Sequence, residues 1–149
     1  MRLVIQRVTN AAITIDGKQH TAIGNGLLLL LGIATDDTTE DADKLSKKIP
    51  ALRIFNDENG QMNRSVADMG GEILVVSQFT LYGDASKGNR PSFIHAARPE
   101  QAIPLYEYFL KKIKEGSSCT LKTGVFGADM KISLTNDGPV TIIMDSKKN

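Results

Sequence analysis

The chain of 149 residues has no tryptophan, a single cysteine, and a formal net charge of only +1. One thiol, Cys119, forms no internal disulfide, which suits a reducing compartment and a structural sulfhydryl. A near-neutral balance gives no global pull on nucleic acid, so an RNA partner has to be held by a local patch. The longest apolar run, Leu27 to Leu31, falls far short of the ~20 residues a membrane helix needs. Neither a P-loop nor a GxGxxG turn occurs. The two histidines, His20 and His95, lie far apart with no cysteine pair, so no metal-ligand spacing exists. Scattered acids give no support to a paired-carboxylate glycosidase. Met1-Arg2-Leu3-Val4-Ile5 enters strand-like sequence at once, without a secretory pattern. The expectation is a cytoplasmic chain with no metal, no cofactor and no membrane partner. One domain, 1–149, is large enough to bury about 68–70% of its unfolded surface without a disulfide.

What is present is mostly strand. Arg2 to Val8 is rich in β-branched residues, and Ala11 to Ile15 leads to Asp16-Gly17, a hairpin signal with Gln19 to Ile23 as return strand. Gly26 to Ala34 reads as a fully buried strand. Thr38 and Asp41 have capping-box spacing before a helix with Ala42, Leu45 and Ile49 on its apolar face, and Pro50 should end or kink it. Leu52 to Phe55 reads as a strand. A second helix begins at Pro99, with Pro104 within or near its first turn, and stops at Gly116. Its apolar face is Ala102, Ile103, Tyr106, Phe109, Leu110 and Ile113. Three strands follow, Thr120 to Val125, Met130 to Thr135 and Val140 to Asp145, the last two separated by a turn at Asn136-Asp137-Gly138-Pro139. Strands joined mainly by hairpins define an α+β chain: a mainly antiparallel sheet or partly closed β-barrel with two covering helices.

Two segments carry chemistry. Gly70-Gly71-Glu72-Ile73-Leu74-Val75-Val76 is a short apolar strand that delivers Ser77, Gln78, Phe79 and Thr80 off its end. Polar groups on the end of a rigid strand are well placed for a site. Neither histidine has a local partner with which to serve Ser77 or Thr80 as a base. What remains is small hydroxyls, amides and accessible backbone. Such a set can stabilise an oxyanion but lacks a general base, which points to an activated substrate such as an ester, or to binding alone. Gly138-Pro139 is ordinary turn chemistry, or a rigid device. Glycine lets the backbone approach a ligand, and X-Pro is where a cis bond is least costly. The loop Asp84 to Pro91 carries Lys87 and Arg90, a solvated surface or a grip for phosphate.

Ser77-Gln78-Phe79-Thr80-Leu81-Tyr82-Gly83 and Asn136-Asp137-Gly138-Pro139-Val140-Thr141 resemble the two signature motifs of the D-aminoacyl-tRNA deacylases. Ile5-Gln6-Arg7-Val8, Met62-Asn63-Arg64-Ser65, Arg90-Pro91-Ser92-Phe93 and Gly124-Val125-Phe126-Gly127-Ala128-Asp129-Met130 support the resemblance in order along the chain. It implies an editing hydrolase that cleaves the ester of D-aminoacyl-tRNA, and of glycine mischarged onto tRNA(Ala). It also implies a homodimer whose Gly-cisPro pair, here Gly138-Pro139, reaches into the partner's pocket at Ser77 to Thr80. Amides near Gln78 and Phe79 would hold the oxyanion, with Ser77 in the same network and the substrate 2′-hydroxyl assisting. Arg7 would hold the Gly-Pro backbone, and Phe126, Ala128 and Met130 would line the pocket. Lys87 and Arg90 are candidate tRNA contacts. Two alternatives stand beside this reading: a nucleic-acid-binding module without catalysis, and an esterase with Thr80 as nucleophile.

Overall fold

The computed structural model describes residues 1–148. Its elements are β1 (Arg2–Ile15), β2 (Lys18–Ile23), β3 (Gly26–Gly32), α1 (Thr39–Lys48), β4 (Phe55–Asn56), β5 (Met62–Arg64), β6 (Glu72–Ser77), α2 (Pro99–Gly116), β7 (Thr120–Thr123) and β8 (Lys131–Asp145). The main sheet runs β2-β1-β3-β6-β7, with β8 along the other side of β1. β1 pairs antiparallel with β2, as the Asp16-Gly17 hairpin signal requires, and also with β3 and β8.

The two all-apolar runs behave differently from the hairpins. β3 pairs parallel with β6, and β6 parallel with β7, so α1 and α2 lie in the crossovers between them. Strands buried on both faces have no polar alternation, which is the pattern of parallel pairing. The sheet is therefore mixed and curls into a nearly closed barrel. Its outer strands are bridged by Lys122 Nζ, which donates to the Ala22 carbonyl at 2.8 Å, and by His20 Nε2, 3.2 Å from the Thr123 carbonyl.

One core, including Leu3, Ile5, Leu29, Ile73, Val75 and Phe109, fills the space between sheet and helices. A second, with Val8, Ala11, Ile13, Leu28, Leu74 and Val76, fills the inside of the curl. The capping box of α1 forms as expected: the Thr38 amide donates to Asp41 Oδ2 at 2.8 Å, and the Glu40 amide to Thr38 Oγ1 at 3.3 Å. Pro50 converts the end of this helix to a 3-10 turn at Ile49–Ala51. None of the described helices is long and apolar enough to cross a membrane.

Four sequence expectations need correction. The two strands read across Arg2 to Ile15 are one, because Val8, Ala11 and Ile13 all stay on the buried side and bulges absorb the slip in alternation. Leu52 to Phe55 is not a strand; only Phe55–Asn56 pairs, in a short ladder with β5. Pro104 lies inside α2, past its first turn. The fourth correction concerns the end of the chain.

Lys131 to Asp145 is a single strand against β1, not a hairpin. Gln6 faces Thr141 and Val8 faces Asn136, so two steps along β1 are matched by five along β8. The three surplus residues are Asp137, Gly138 and Pro139, pushed outward and exposed. Asn136 clips this excursion at its base. Its Oδ1 accepts from the Val140 amide at 2.7 Å, and its Nδ2 donates to Thr141 Oγ1 at 3.0 Å. Turn-forming letters thus mark a bulge, since side-chain hydrogen bonds from Asn close a short loop inside a strand as readily as between two.

Candidate active site

β6 ends on Ser77, opposite Leu31 of β3. The Gln78 amide continues that ladder, donating to the Leu31 carbonyl at 2.8 Å. The chain then turns into a 3-10 segment, Phe79–Tyr82, in which the Leu81 amide donates back to the Gln78 carbonyl at 3.2 Å. The first intrahelical donor is Leu81, so the amides of Phe79 and Thr80 have no acceptor within the turn. Of the two amides expected to serve an oxyanion, Gln78 is occupied by the sheet. The available pair is Phe79 and Thr80.

Beneath this turn lies Gly32, the last residue of β3. A Cβ there would sit 3.0 Å from Leu81 Cβ and 3.2 Å from the Gln78 carbonyl oxygen. The close approach needs a residue without a side chain.

Ser77, Gln78 and Phe79 form one wall of a cavity of about 300 Å³, at the low end of the ~300–1,000 Å³ typical of small-ligand pockets. The opposite wall is Phe126, Ala128 and Met130, from the loop between β7 and β8. Gly127 takes a positive φ of 79° so that this loop can turn in. Phe126 is wedged between the cavity and the core, its ring tilted against Tyr106 at 5.7 Å. Burial pushes the Tyr106 phenol up to about 12, so it stays neutral, with its hydroxyl 3.4 Å from the Val75 carbonyl.

Among the described residues Asp129 is the only charged one in the lining, at the exposed rim with Lys131 Nζ 3.0 Å away. The sequence reading passed over it, and also over Leu31, Ile33 and Ala97 on the floor, which look like plain core letters.

Thr80 stands outside this lining. Its hydroxyl is hydrogen-bonded by Gln78 Nε2, an amide donor and not a base. His20 is at the barrel seam, and His95 lines a different cleft with Asp84 and Tyr82. Lys87 and Arg90 are exposed on a loop closed by the paired backbones of Asp84 and Ser92, and do not reach the cavity.

Gly138 and Pro139 are also absent from the lining of their own chain's cavity. Their peptide bond is cis, and Gly138 has φ 138°. Arg7, 6% exposed, secures the excursion: Nε donates to the Asp137 carbonyl at 2.9 Å and Nη1 to the Ile54 carbonyl at 2.8 Å.

Fold and cavity together define an α+β chain whose site offers free amides, a hydroxyl and an apolar recess, a set suited to an already activated carbonyl. The family model of D-Tyr-tRNA(Tyr) deacylase matches residues 4–145, and the chain belongs to that family. Membership places it among the hydrolases. It is 57% identical over 148 residues to a D-aminoacyl-tRNA deacylase of Chlorobaculum tepidum, covering 99% of both chains. It is 58% identical over 147 residues to the protein of the same name from Cytophaga hutchinsonii, covering 99% of this chain and 98% of the other. Among solved structures, a c-Myc DNA unwinding element binding protein superposes with a TM-score of 0.92 at 44% identity, over 97% of this chain and 98% of its own. A probable eukaryotic D-amino acid tRNA deacylase shares the fold, with a TM-score of 0.81 at 17% identity over 97% and 98% of the two chains.

Proposed function

We propose that the chain hydrolyses the ester joining a D-amino acid to the terminal adenosine of tRNA, and clears glycine mischarged onto tRNA(Ala) by the same route. The observation that carries this is the free Phe79 amide, with that of Thr80 beside it, at the wall of a cavity whose lining holds no histidine and whose one carboxylate, Asp129, sits at the exposed rim beside Lys131. Water attacks the acyl carbon, the ester C–O bond breaks, and the free D-amino acid and a tRNA with a restored hydroxyl leave. Amide donors stabilise the oxyanion, Ser77 joins the hydrogen-bond network, and the ribose 2′-hydroxyl of the substrate supplies the assistance that no side chain gives.

Chirality is set across a homodimer. Gly138 and Pro139 of the partner subunit close the cavity, with Arg7 holding that backbone from behind. An L side chain would collide with it, a D side chain would point out, and glycine would pass, with Phe126, Ala128 and Met130 lining the pocket. The exposed excursion, missing from its own cavity, supports a role in another copy. Lys87 and Arg90 face the acceptor stem in this arrangement.

The test is hydrolysis of matched D- and L-aminoacyl-tRNA and of glycyl-tRNA(Ala), with the oligomeric state measured in parallel. Rapid release from the D and glycyl substrates, L being spared, is expected from a dimer. Equal cleavage of both enantiomers, or selectivity in a monomer, defeats the chiral gate. Nucleic-acid binding with no cleavage would favour the non-catalytic reading, which draws on the name of the unwinding-element protein.

A further inference from the structure

The turn Phe79–Tyr82 presents the amides that the proposed reaction needs, yet none of its residues is buried. The Phe79 ring is 56% exposed and leans edge to face, centroids 5.3 Å apart, on Phe93, itself an exposed aromatic. Core packing therefore does not fix this segment through its side chains, and a short 3-10 turn has few internal hydrogen bonds to hold it. Those that close it run from the Leu81 amide to the Gln78 carbonyl and from the Gly83 amide to the Thr80 carbonyl. The Leu81 carbonyl is left over at the end of the turn, as the last carbonyls of any helical segment are.

Arg2 takes that carbonyl. Its Nη1 donates to the Leu81 oxygen at 2.9 Å, and its guanidinium lies over the Tyr82 ring, 4.6 Å from the centroid. Nε and Nη2 both donate to Asp145 Oδ2, at 3.2 and 3.1 Å, at the end of β8. Among the described residues no other side chain from outside the turn hydrogen-bonds its backbone. The arrangement follows from register, since Arg2 in β1 stands between Gly32 of β3 and Asp145 of β8. Directly opposed residues of a ladder share one face of the sheet. The bare Gly32 leaves room there for the turn, because a Cβ would meet the Tyr82 ring at 3.2 Å. All three guanidinium nitrogens of Arg2 have partners within the chain, so its charge is committed to this corner and not offered to a phosphate.

We propose that Arg2 is a positioning residue of the catalytic turn: it clamps the end of Phe79–Tyr82 against the sheet, with Asp145 orienting the guanidinium, so that the Phe79 and Thr80 amides keep their aim. The inference rests on the reading above for what those amides do. Arg2 is absent from the cavity lining, so its loss acts on the chemical step and not on substrate binding.

The experiment compares Arg2→Gln, Arg2→Lys and Asp145→Asn with the wild-type chain by Tm, by kcat and KM on D-aminoacyl-tRNA, and by the NMR shifts of the Phe79 and Thr80 amides without ligand. Misplacement by ~1 Å is worth up to about 100-fold, so Arg2→Gln should lower kcat roughly tenfold or more well below its Tm. KM should stay within about threefold, the sign of an interaction that serves the transition state, and both amides should shift. Arg2→Lys keeps the charge but lacks the fork that serves Leu81 and Asp145 together, so it should not restore kcat. Asp145→Asn should lose roughly threefold alone and nothing further in the Arg2→Gln background, because residues acting through one another are not additive. Should Arg2→Gln fail to fold, Arg2→Lys and Asp145→Asn decide the matter by the same measurements. A lowered Tm with kcat and both amide shifts intact overturns the proposal, as does full rescue by lysine or wild-type kcat with shifted amides. If the wild-type chain itself leaves D-aminoacyl-tRNA uncleaved, the catalytic reading fails alone, and the amide shifts still decide whether Arg2 holds the turn.

Discussion

Arg7 Nε donates to the Asp137 carbonyl at 2.9 Å, linking residues 130 apart in sequence across the β1–β8 ladder. The same guanidinium holds the Ile54 carbonyl, so one buried side chain fixes the Gly138–Pro139 excursion to the body of the protein. A lysine lacks the planar fork that serves both carbonyls at once. Arg7→Lys should cost about 1–3 kcal/mol in urea unfolding and lower the ratio of D to L turnover by roughly tenfold or more, a loss of about 1.4 kcal/mol or more in discrimination. An intact ratio in a destabilised variant would show that Arg7 serves the fold alone.

Thr80 offers a hydroxyl in the right motif and the wrong surroundings. Its neighbour is the Gln78 side-chain amide, and neither histidine hydrogen-bonds it. A nucleophilic hydroxyl needs a base to take its proton. Thr80→Ala should therefore keep single-turnover deacylation within about fivefold of wild type, since losing a true nucleophile removes several orders of magnitude. A collapse of that size, or an acyl-enzyme trapped on Thr80, would restore the esterase reading.

The legible part of the sequence was local. Thr38 and Asp41 announce a capping box that forms, and the apolar run before Ser77 announces a buried strand that ends at the site. Parallel pairing was missed because the apolar runs of β3 and β6 show that both faces are covered but not which strand lies alongside. Asn136 to Pro139 was misread for another reason. The residues that close a hairpin also build a bulge, and only the register against β1 tells them apart. The cavity wall at Phe126, Ala128 and Met130 was reachable through family resemblance, since their apolar letters look like core. Gly127, Asp129 and the exposed Phe93 stand inside the blocks that carry the resemblance, but no role attached to them until the loops were folded around Phe79.

Acid should expose a second tie between distant segments. Ser146 Oγ donates to Asp41 Oδ1 at 2.7 Å and accepts from the Met1 ammonium at 2.8 Å, while Lys147 Nζ reaches Asp41 at 3.1 Å. Burial alone would raise the Asp41 carboxyl, but hydrogen bonds from Ser146, the Thr38 amide and Lys147 outweigh it and hold the group well below the usual carboxylate range. Its folded value thus lies below the ~3.9 of an unfolded aspartate. Between the two values the unfolded chain binds more protons, so stability rises with pH there. The contribution is complete above about pH 5 and disappears as pH falls from about 4 toward the folded value. Asp41→Asn should unfold at lower urea than wild type at pH 7 and pH 5, with the gap beginning to narrow only below about pH 4 and shrinking further as acid approaches the folded value. A gap independent of pH would mean that the carboxylate charge is not what stabilises this corner.

Gly32 tests whether the amides of Phe79 and Thr80 act through their placement. It touches no part of the cavity, yet a methyl group added to it would press on Leu81 Cβ at 3.0 Å and on the Gln78 carbonyl at 3.2 Å, both in or beside the 3-10 turn that presents those amides. Relief requires the turn to move outward by a few tenths of an ångström, because β3 is held on both sides by β1 and β6. Overpacking of this kind costs about 1–3 kcal/mol, or roughly 3–10 °C in Tm for a chain of this size. Misplacing donors aimed at an oxyanion is costlier to the reaction than to the fold, with ~1 Å worth up to about 100-fold. Gly32→Ala should therefore lower kcat by roughly tenfold at temperatures well below its Tm, with KM within about threefold, since Gly32 itself is not part of the cavity lining. Wild-type kcat in the folded variant would separate catalysis from the position of this turn, and with it remove the amide pair as the centre of the mechanism.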